Sequence, residues 1–477
     1  MKRFFLIAGI VMCGSLLRSH AQQAAGITYT LKQCIDTGIS RNLVVNRNGL
    51  QVKSSEIAKR QARLNMLPDL NGNASYGINQ GRSIDPFTNG YINEQVNFSQ
   101  YSLNSGVTLF NGLAMQNANR QTALAYEASK MDWQQAKDNL TINIILAYLQ
   151  VLSNEDVLAQ STSQAELSRK QVERLDILNK EEAISPSQLS DLKGQYANDQ
   201  LGIINAKSSL ELAKLSLCRL MNIPFDPAMK LERLDATSFA ERYEGTPGNI
   251  YQTALQQFAQ IKAVDLRTQS SEKGVKVAKG QLFPTLSFGA NANTNYSSAA
   301  SQDILLGTSD VASTDYITIG TTQYNVFKRT STFNSEKIGY GKQLNNNLFT
   351  SVGLNLRVPI FNSFRQQNRI KQAQITLKNS ELVAKTTKTQ LQQSIEQAYI
   401  NMNTASDRYK TLLEQVNAFT ESFNAAEIRF NAGVGNSIDY LTAKNNLDRA
   451  NINLINARYD YVLRTKILDY YQGKRLW

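Results

Sequence analysis

The side chains that most often carry catalysis are scarce in this sequence. Its 477 residues contain one histidine, His20, so acid–base chemistry and metal binding lack their commonest group over the rest of the chain. Two cysteines, Cys34 and Cys218, do not make a zinc site without a histidine. The neighbouring carboxylates Glu181 and Glu182 fall where a long helix is expected to end, which is typical of a solvated face. The sequence therefore argues against an enzyme and predicts no catalytic, cofactor-binding or metal-binding residue.

The N-terminal segment has the three parts of a signal peptide. A basic start precedes the apolar run Phe4–Met12, and a stretch of small residues ends at Ala21. The apolar run is too short to span a bilayer. We therefore predict a signal peptide at residues 1–21 and export from the cytoplasm. Lipidation at Cys13 is the alternative, although the Met12 before it is a poor residue for that modification.

Export decides how the charge and the thiols are interpreted. The chain carries a net charge of +12, but its Lys and Arg residues are spread along segments rich in Asn and Gln. An exported chain does not meet nucleic acid, so we expect no nucleic-acid partner. In an oxidising compartment Cys34 and Cys218 can form a disulfide. Two buried free thiols are the alternative.

Two very long stretches contain neither glycine nor proline. They run from Leu113 to Ser185 and from Phe364 to Ala432. A typical helix has about a dozen residues, whereas each of these stretches could form a helix of about 100 Å. We predict long helices at about 112–185 and about 363–432.

A tight turn and a returning helix are predicted after each long helix. Ser185 before Pro186 supplies a capping residue and a proline at the first helical position. After the second long stretch, a glycine-containing turn at Gly433–Ser437 ends one helix and caps the next. The returning helices are predicted at about 187–222 and 437–472. The predicted hairpin tips comprise Ser185, Pro186, Ser187, Gly433, Val434, Gly435, Asn436 and Ser437.

The chain repeats itself once, at an offset of 251 residues from Leu109 onward and of 216 residues around Pro68, because the second copy carries an insertion of about 35 residues. LFNG at Leu109–Gly112 corresponds to IFNS at Ile360–Ser363. We predict two structural repeats, 22–225 and 247–477, joined by a linker at 226–246. An apolar helical face recurs at the offset of 251 residues, where Leu140, Ile144, Ala147, Tyr148 and Val151 match Leu391, Ile395, Ala398, Tyr399 and Met402.

Alternating apolar and polar residues predict a strand hairpin in each repeat, at about 69–110 and about 285–361. Strands of this length and pattern are typical of outer-membrane barrels, and a soluble hairpin packed on one face is the alternative. Export and a polar face rich in Asn and Ser favour the membrane. Four strands cannot close a barrel, and open edges are costly in lipid, so two copies would give eight strands and three would give twelve. Arg357, on a polar face, is expected to line the lumen or lie at the rim.

The order of these elements resembles the TolC-like outer-membrane efflux protein family, also called outer membrane factors. Tyr29–Asn42 resembles the N-terminal helix motif of the family, and Arg429–Tyr461 resembles its second periplasmic hairpin. The resemblance implies a mixed α and β membrane protein with an internal duplication. It implies a trimeric 12-stranded β-barrel, with four strands per protomer, continuous with a long periplasmic α-helical barrel. The expected location is the outer membrane of a Gram-negative bacterium.

The same resemblance implies a function without a catalytic step. The expected function is the exit duct of a tripartite efflux pump, which passively conducts small molecules from the periplasm to the exterior. The expected partners are two further copies in a homotrimer, a periplasmic adaptor (membrane fusion) protein, an inner-membrane transporter and outer-membrane lipid. The outer-membrane component of a type I protein secretion system is an alternative. A periplasmic coiled-coil adaptor is a further one, but the lipoyl-like regions of such adaptors are not found here.

The resemblance also implies a periplasmic aperture near the second hairpin tip. Asp439 matches the first aspartate of a ring found in some family members, and Thr442 stands where the second aspartate would be. Phe430 and Gly435 replace a tyrosine and an arginine that latch the tip in those members. Asp439 would attract cations in a narrow pore. Its other interpretation is an acidic residue favoured by the helix dipole in a first turn.

Overall fold

The computed structural model describes residues 28–84, 89–233 and 245–474. The predicted signal peptide at 1–21, with His20 and Cys13, lies outside the described residues. The helices are α1 (Leu31–Arg41), α2 (Leu43–Leu64), α3 (Ala114–Lys180), α4 (Pro186–Met221), α5 (Pro247–Gln257), α6 (Ala259–Gly280), α7 (Tyr340–Asn346), α8 (Arg365–Asn431) and α9 (Ser437–Tyr471). The strands are β1 (Thr28–Tyr29), β2 (Asp69–Asn79), β3 (Arg82–Ile84), β4 (Tyr91–Asn93), β5 (Val96–Phe110), β6 (Lys230–Leu231), β7 (Thr285–Ser297), β8 (Ser301–Ile319), β9 (Thr322–Lys337) and β10 (Phe349–Arg357).

The chain divides into two compact units. The first, here called the helical unit, comprises the described parts of Met1–Leu50, Met131–Lys262 and Thr387–Trp477. The second, here called the sheet unit, comprises Gln51–Lys130 and Ala263–Thr386. Each unit therefore contains segments from both of the repeats that the sequence predicts.

Helix ends in the helical unit are fixed by local hydrogen bonds. The Ser187 amide donates to the Ser185 hydroxyl at 3.3 Å, and Pro186 begins α4. Gly433, with φ of +77°, follows the end of α8 in a left-handed conformation that glycine adopts without steric cost. The Asp439 amide then donates to Asn436 Oδ1 at 2.7 Å, which caps α9.

The core of the helical unit consists of three apolar clusters. The first surrounds Tyr148, which is fully buried, and the second surrounds the fully buried Ile395. The repeated apolar face of the long helices supplies both of them, with Leu140, Ile144, Tyr148 and Val151 in the first and Leu391, Ile395, Ala398 and Met402 in the second. The third cluster joins α3, α4, α8 and α9 near their turns. Burial of these faces is the main favourable term that holds the helices together.

The sheet unit contains a four-stranded antiparallel sheet in the order β10-β7-β5-β2. Neighbouring strands alternate in direction, and β2 and β10 form the two edges. A separate two-stranded ribbon, β8–β9, lies between β7 and β10 in sequence, and α7 follows it. At the C-terminal end of β7, beyond the last residue that pairs with β10, helix α7 supplies hydrogen-bond partners for the β7 backbone. For example, Gln343 Oε1 accepts from the Ser297 amide at 2.9 Å.

Two features of the second hairpin differ from the sequence-based expectation. The sequence analysis predicted no further strands in the segment between the two strands of this hairpin, but most of that segment forms the β8–β9 ribbon. Bulges at Leu305/Gly307 and Ala312/Tyr316 interrupt the alternation that would have revealed these strands. In addition, β10 ends at Arg357 rather than near Phe361. Pro359 follows shortly afterwards and has no amide hydrogen for a strand ladder.

Candidate channel wall and helical hairpin tips

One face of the four-stranded sheet is polar from edge to edge. Asn71, Asn104, Asn291 and Ser351 lie in a single row across the four strands. The Ser351 hydroxyl lies 2.8 Å from Asn291 Oδ1, to which it donates. Since side chains two apart along a strand share a face, the same face carries further small polar residues: Asp69, Asn73, Ser75, Gln100, Ser102, Thr108, Ser287, Asn293, Asn295 and Asn355.

A cavity lies against this polar face. Its volume is about 960 Å³, and Asn104, Asn291 and Ser351 contribute to its lining together with Gln61 and Asn65 from the end of α2. The residues that line it are mostly uncharged. The surface can therefore hydrogen-bond water and polar solutes without a strong preference for either sign of charge.

The opposite face of the sheet is apolar and exposed. Val352 is 74% exposed, Leu70 is 69% exposed and Leu354 is 67% exposed. Tyrosines mark the far end of this face, where Tyr296 lies opposite Ser99 and near Tyr76. An apolar surface of this extent marks a contact with lipid or protein.

Arg357 is the last residue of β10 and lies opposite Thr285 on the polar face. Its side chain is exposed. A position that is both on the polar face and at the end of a strand fits either expectation for this residue, a lumen wall or a rim.

The four predicted aperture residues do not share one environment. Asp439 and Thr442 are both exposed and lie one helical turn apart on α9, so they share a face. Phe430 instead stacks on Tyr440, with ring centroids 4.7 Å apart, inside the third apolar cluster. Gly435 lies in the turn, where its amide donates to the carbonyl oxygen of Arg429 at 3.1 Å.

The predicted hairpin tips lie at the two turns of the helical unit. Ser185, Pro186 and Ser187 are exposed, as are Gly433 and Val434. Ser437 differs, because it is buried and its hydroxyl donates to Asp191 Oδ2 at 3.1 Å. This bond connects the start of α9 to α4.

A buried charge network that sequence reasoning missed lies near these turns. The Lys444 ammonium on α9 is 1% exposed and lies 2.9 Å from Asp199 Oδ2 on α4 and 2.6 Å from Asp448 Oδ2. Asp199 also accepts from the Ser168 hydroxyl of α3 at 2.5 Å and from Gln195 Nε2 at 2.7 Å. The network therefore joins three helices. The only sequence signal was the spacing of Lys444 and Asp448 by one helical turn.

Burial changes the ionisation of one carboxyl in this network. It raises the pKa of the Asp448 carboxyl above its usual range, and the Lys444 charge opposes that rise. Removing either partner would leave an unpaired charge in a largely buried site. The network thus acts as one unit.

The two cysteines are buried free thiols in the structure, so the disulfide left open by the sequence is not formed. Both belong to the apolar cluster around Tyr148. Cys218 Sγ lies 3.9 Å from Met229 Sδ. Burial raises the pKa of Cys34 to about 12, so its thiol is protonated at neutral pH.

The adjacent carboxylates Glu181 and Glu182 lie exposed just beyond α3. Among the described residues, no group of histidine, cysteine, aspartate and glutamate side chains is arranged to hold a metal ion. In the same ranges, no helix combines the length and the apolar character needed to cross a membrane.

Comparison with known proteins shows what this chain is similar to. A family model described as outer membrane efflux protein matches residues 250–470. TolC of Vibrio cholerae serotype O1, an outer membrane protein, is 22% identical over 85% of this chain and 82% of its own length. Over residues 250–470 the chain is similar to the outer membrane efflux protein family.

Solved structures of membrane proteins share the fold of this chain. The structure of CusC, a protein that forms a transmembrane channel, superposes with a TM-score of 0.75 at 14% identity, over 97% of this chain and 96% of that one. The outer membrane protein VceC of Vibrio cholerae superposes with a TM-score of 0.74 at 15% identity, over 93% of this chain and 96% of that one. At such low identity the likeness establishes the fold and leaves individual residues to be assigned from this chain.

Proposed function

We propose that this chain is the outer-membrane exit duct of a tripartite efflux pump and passively conducts small molecules from the periplasm to the exterior of a Gram-negative cell. The observation that carries the proposal is the four-stranded sheet, with one polar face, one apolar face and two free edges. A polar wall backed by an apolar one suits a water-filled pore surrounded by lipid.

The free edges support assembly from several copies. Four strands of alternating direction leave β2 and β10 running in opposite directions, so β2 of one copy can pair antiparallel with β10 of the next. Inside lipid each unpaired backbone group costs several kcal/mol, and closure removes that cost. Three copies would give the twelve-stranded barrel of a homotrimer.

The height of the apolar face supports placement in a membrane. The apolar face of β7 runs from Leu286 to Tyr296, about 34 Å of strand at about 3.4 Å per residue. Tilted by about 40°, that strand spans about 25 Å, the height of the apolar band of outer-membrane barrels. Tyr296 and its tyrosine neighbours would then lie at the interface, where aromatic girdles occur.

The helical unit supports a periplasmic role. Its long helices return through exposed turns at Ser185–Ser187 and Gly433–Asn436, which we assign as the surfaces for a periplasmic adaptor that works with an inner-membrane transporter. Asp439 and Thr442 share an exposed face of α9 near one of these turns. We assign that face to the aperture of the duct.

The test is to purify the full chain in detergent, measure its mass by light scattering and reconstitute it in planar bilayers. We expect a trimer whose mobility in SDS gels changes on heating, and discrete conductance steps. A chain that behaves as a monomer and conducts no current would overturn the proposal. Loss of drug resistance on gene deletion, restored by the wild-type gene, would tie the conductance to efflux.

A further inference from the structure

The β8–β9 ribbon is a long element of the sheet unit, and no other helix or strand in the described part of the chain packs along it. Its strands contain 19 and 16 residues and pair only with each other among the described residues. Almost every side chain in it is exposed. A lone two-stranded hairpin is marginally stable in water, so a ribbon of about 60 Å needs further contacts.

Apolar side chains cover both faces of the ribbon. Leu305 pairs with Phe333 on one face, and Phe327 on the same face is 65% exposed. On the other face Ile317 pairs with Tyr324. Two long free edges with exposed apolar side chains invite pairing with another chain.

The two strands carry opposite charge. β8 has three acidic residues and no basic one, and these are Asp303, Asp310 and Asp315. β9 has three basic residues and one acidic one, and these are Lys328, Arg329, Lys337 and Glu336. Arg329 and Asp310 pair with each other across the ribbon. The remaining charges leave β8 net acidic and β9 net basic, so the edges of two copies are complementary when placed head to tail.

The base of the ribbon is tied to the sheet. Lys337 Nζ donates to the Ser298 carbonyl oxygen at 2.9 Å, and Lys342 Nζ of α7 donates to Gln302 Oε1 at 3.0 Å. Buried Gln343 donates to the Ser297 carbonyl oxygen at 3.0 Å. Because these bonds fix where the ribbon leaves the sheet, copies assembled through their sheets would present their ribbons from the same rim.

We propose that the ribbons of neighbouring copies pair edge to edge outside the membrane, with the acidic β8 edge of one copy against the basic β9 edge of the next. The inference rests on the proposed trimer and adds a second contact between its copies. A head-to-tail contact closes into a ring under threefold symmetry. Each copy then uses both of its edges once, and three ribbons form a closed collar of six strands with no exposed edge.

The experiment uses mixed assemblies of two tagged full-length chains. One carries Ser309→Cys on β8 and the other carries Thr330→Cys on β9. These positions face each other within a ribbon, but each chain has only one added thiol, so a cross-link between them must join two copies. With a short bis-maleimide we expect a cross-linked heterodimer several-fold more abundant than the dimer from either variant alone. The parent chain, with buried Cys34 and Cys218, sets the background.

A second set of variants, which reverses charge on β9, tests the direction of pairing. Lys328→Glu with Arg329→Glu in the chain bearing Thr330→Cys should lower the heterodimer several-fold. The same pair in the chain bearing Ser309→Cys is the matched control, because it also removes the ion pair of Arg329 with Asp310 but alters the edge that is not probed. If the charge reversal lowered the heterodimer cross-link equally in the Thr330→Cys chain and in the Ser309→Cys chain, head-to-tail pairing would be contradicted.

The remaining outcomes separate the inference from the proposed function. A trimer by light scattering whose heterodimer cross-link stays at the level of the single variants overturns the ribbon contact and leaves the duct intact. Equal cross-linking by one variant alone means like-to-like contact and also overturns it. A monomer overturns the proposed function and this inference together.

Discussion

At the scale of single residues, the helical unit depends on a lysine that is almost sealed from water. Lys444 is 1% exposed and has two carboxylates within 2.9 Å. Buried ion pairs add little net stability compared with apolar packing, but removing one partner leaves an uncompensated charge. The network therefore matters for which helices pair, since Asp199 lies on α4 and Ser168 on α3.

Lys444→Met is predicted to destabilise the helical unit by about 3 to 5 kcal/mol, because Asp199 and Asp448 lose their counter-charge in a dry site. Urea unfolding followed by circular dichroism measures the change. Lys170→Met is the matched control, since Lys170 is 67% exposed and its pair with Glu166 is worth less than about 1 kcal/mol. An equal loss of unfolding free energy in the two variants would show that Lys444 does not form a buried ion pair.

Cys34 is predicted to resist alkylation in the native protein. Burial raises its pKa to about 12 from an ordinary 9.0, which cuts the thiolate population at pH 8 by about a thousandfold. Iodoacetamide labelling with mass spectrometry should modify Cys34 only in urea, whereas Ser187→Cys at the exposed turn should react at once.

The raised pKa of Cys34 also makes the stability of the folded state depend on pH. The folded state holds the Cys34 proton more tightly than the unfolded state does, so this contribution to stability is complete below pH 9 and falls as the pH rises toward 12. Rapid labelling of Cys34 in the native protein at pH 8 would contradict its burial.

At the scale of elements, the alternation of polar and apolar residues along each strand gives the sheet two different faces. Residues two apart place amides on one face and aliphatic groups on the other, so neighbouring positions on one strand meet opposite surroundings. Leu354 and Asn355 are adjacent on β10 and point to the apolar and polar faces respectively. Bulges break this rule in β8, which is why the ribbon was not predicted.

Leu354→Arg is predicted to impair membrane assembly, whereas Asn355→Arg should be tolerated. An arginine on the lipid face costs about 2 to 4 kcal/mol at the midplane of the bilayer and less toward its surfaces, so the cost at Leu354, opposite Phe288 toward one end of the apolar face, is expected to be below that maximum. An arginine in the lumen stays hydrated. The measurement is the fraction of heat-modifiable oligomer in the outer-membrane fraction for each variant. Equal assembly of both variants would argue that the exposed apolar face does not meet lipid.

At the scale of the whole molecule, the proposed duct depends on contacts that one copy cannot make alone. Within the described residues, the sheet leaves β2 and β10 unpaired at its edges, and the ribbon leaves β8 and β9 unpaired on their outer sides. A duct built from copies satisfies these backbone groups and multiplies each lumen residue around the axis. A side chain such as Asp439 would then act as a ring.

Asp439→Ala is predicted to reduce the preference of the reconstituted channel for cations over anions, because it removes a ring of carboxylates from the aperture. Reversal potentials under a salt gradient measure that preference. Glu421→Ala, an exposed carboxylate on α8, is the matched control and should leave it unchanged. An unaltered reversal potential for Asp439→Ala would return Asp439 to its simpler interpretation as an acidic residue in the first turn of a helix.

The sequence by itself indicated the long helices, the returning helices and the alternating strands, because glycine and proline positions and the periods of 3.6 and 2 are local properties of the chain. It also indicated that residues such as Ile144 and Ile395 would be buried. Only the tertiary structure decided which residues meet across elements. Phe430 packs on Tyr440, Lys444 finds Asp199, and Cys34 stays a thiol because contacts between distant segments, not local spacing, set burial and pairing.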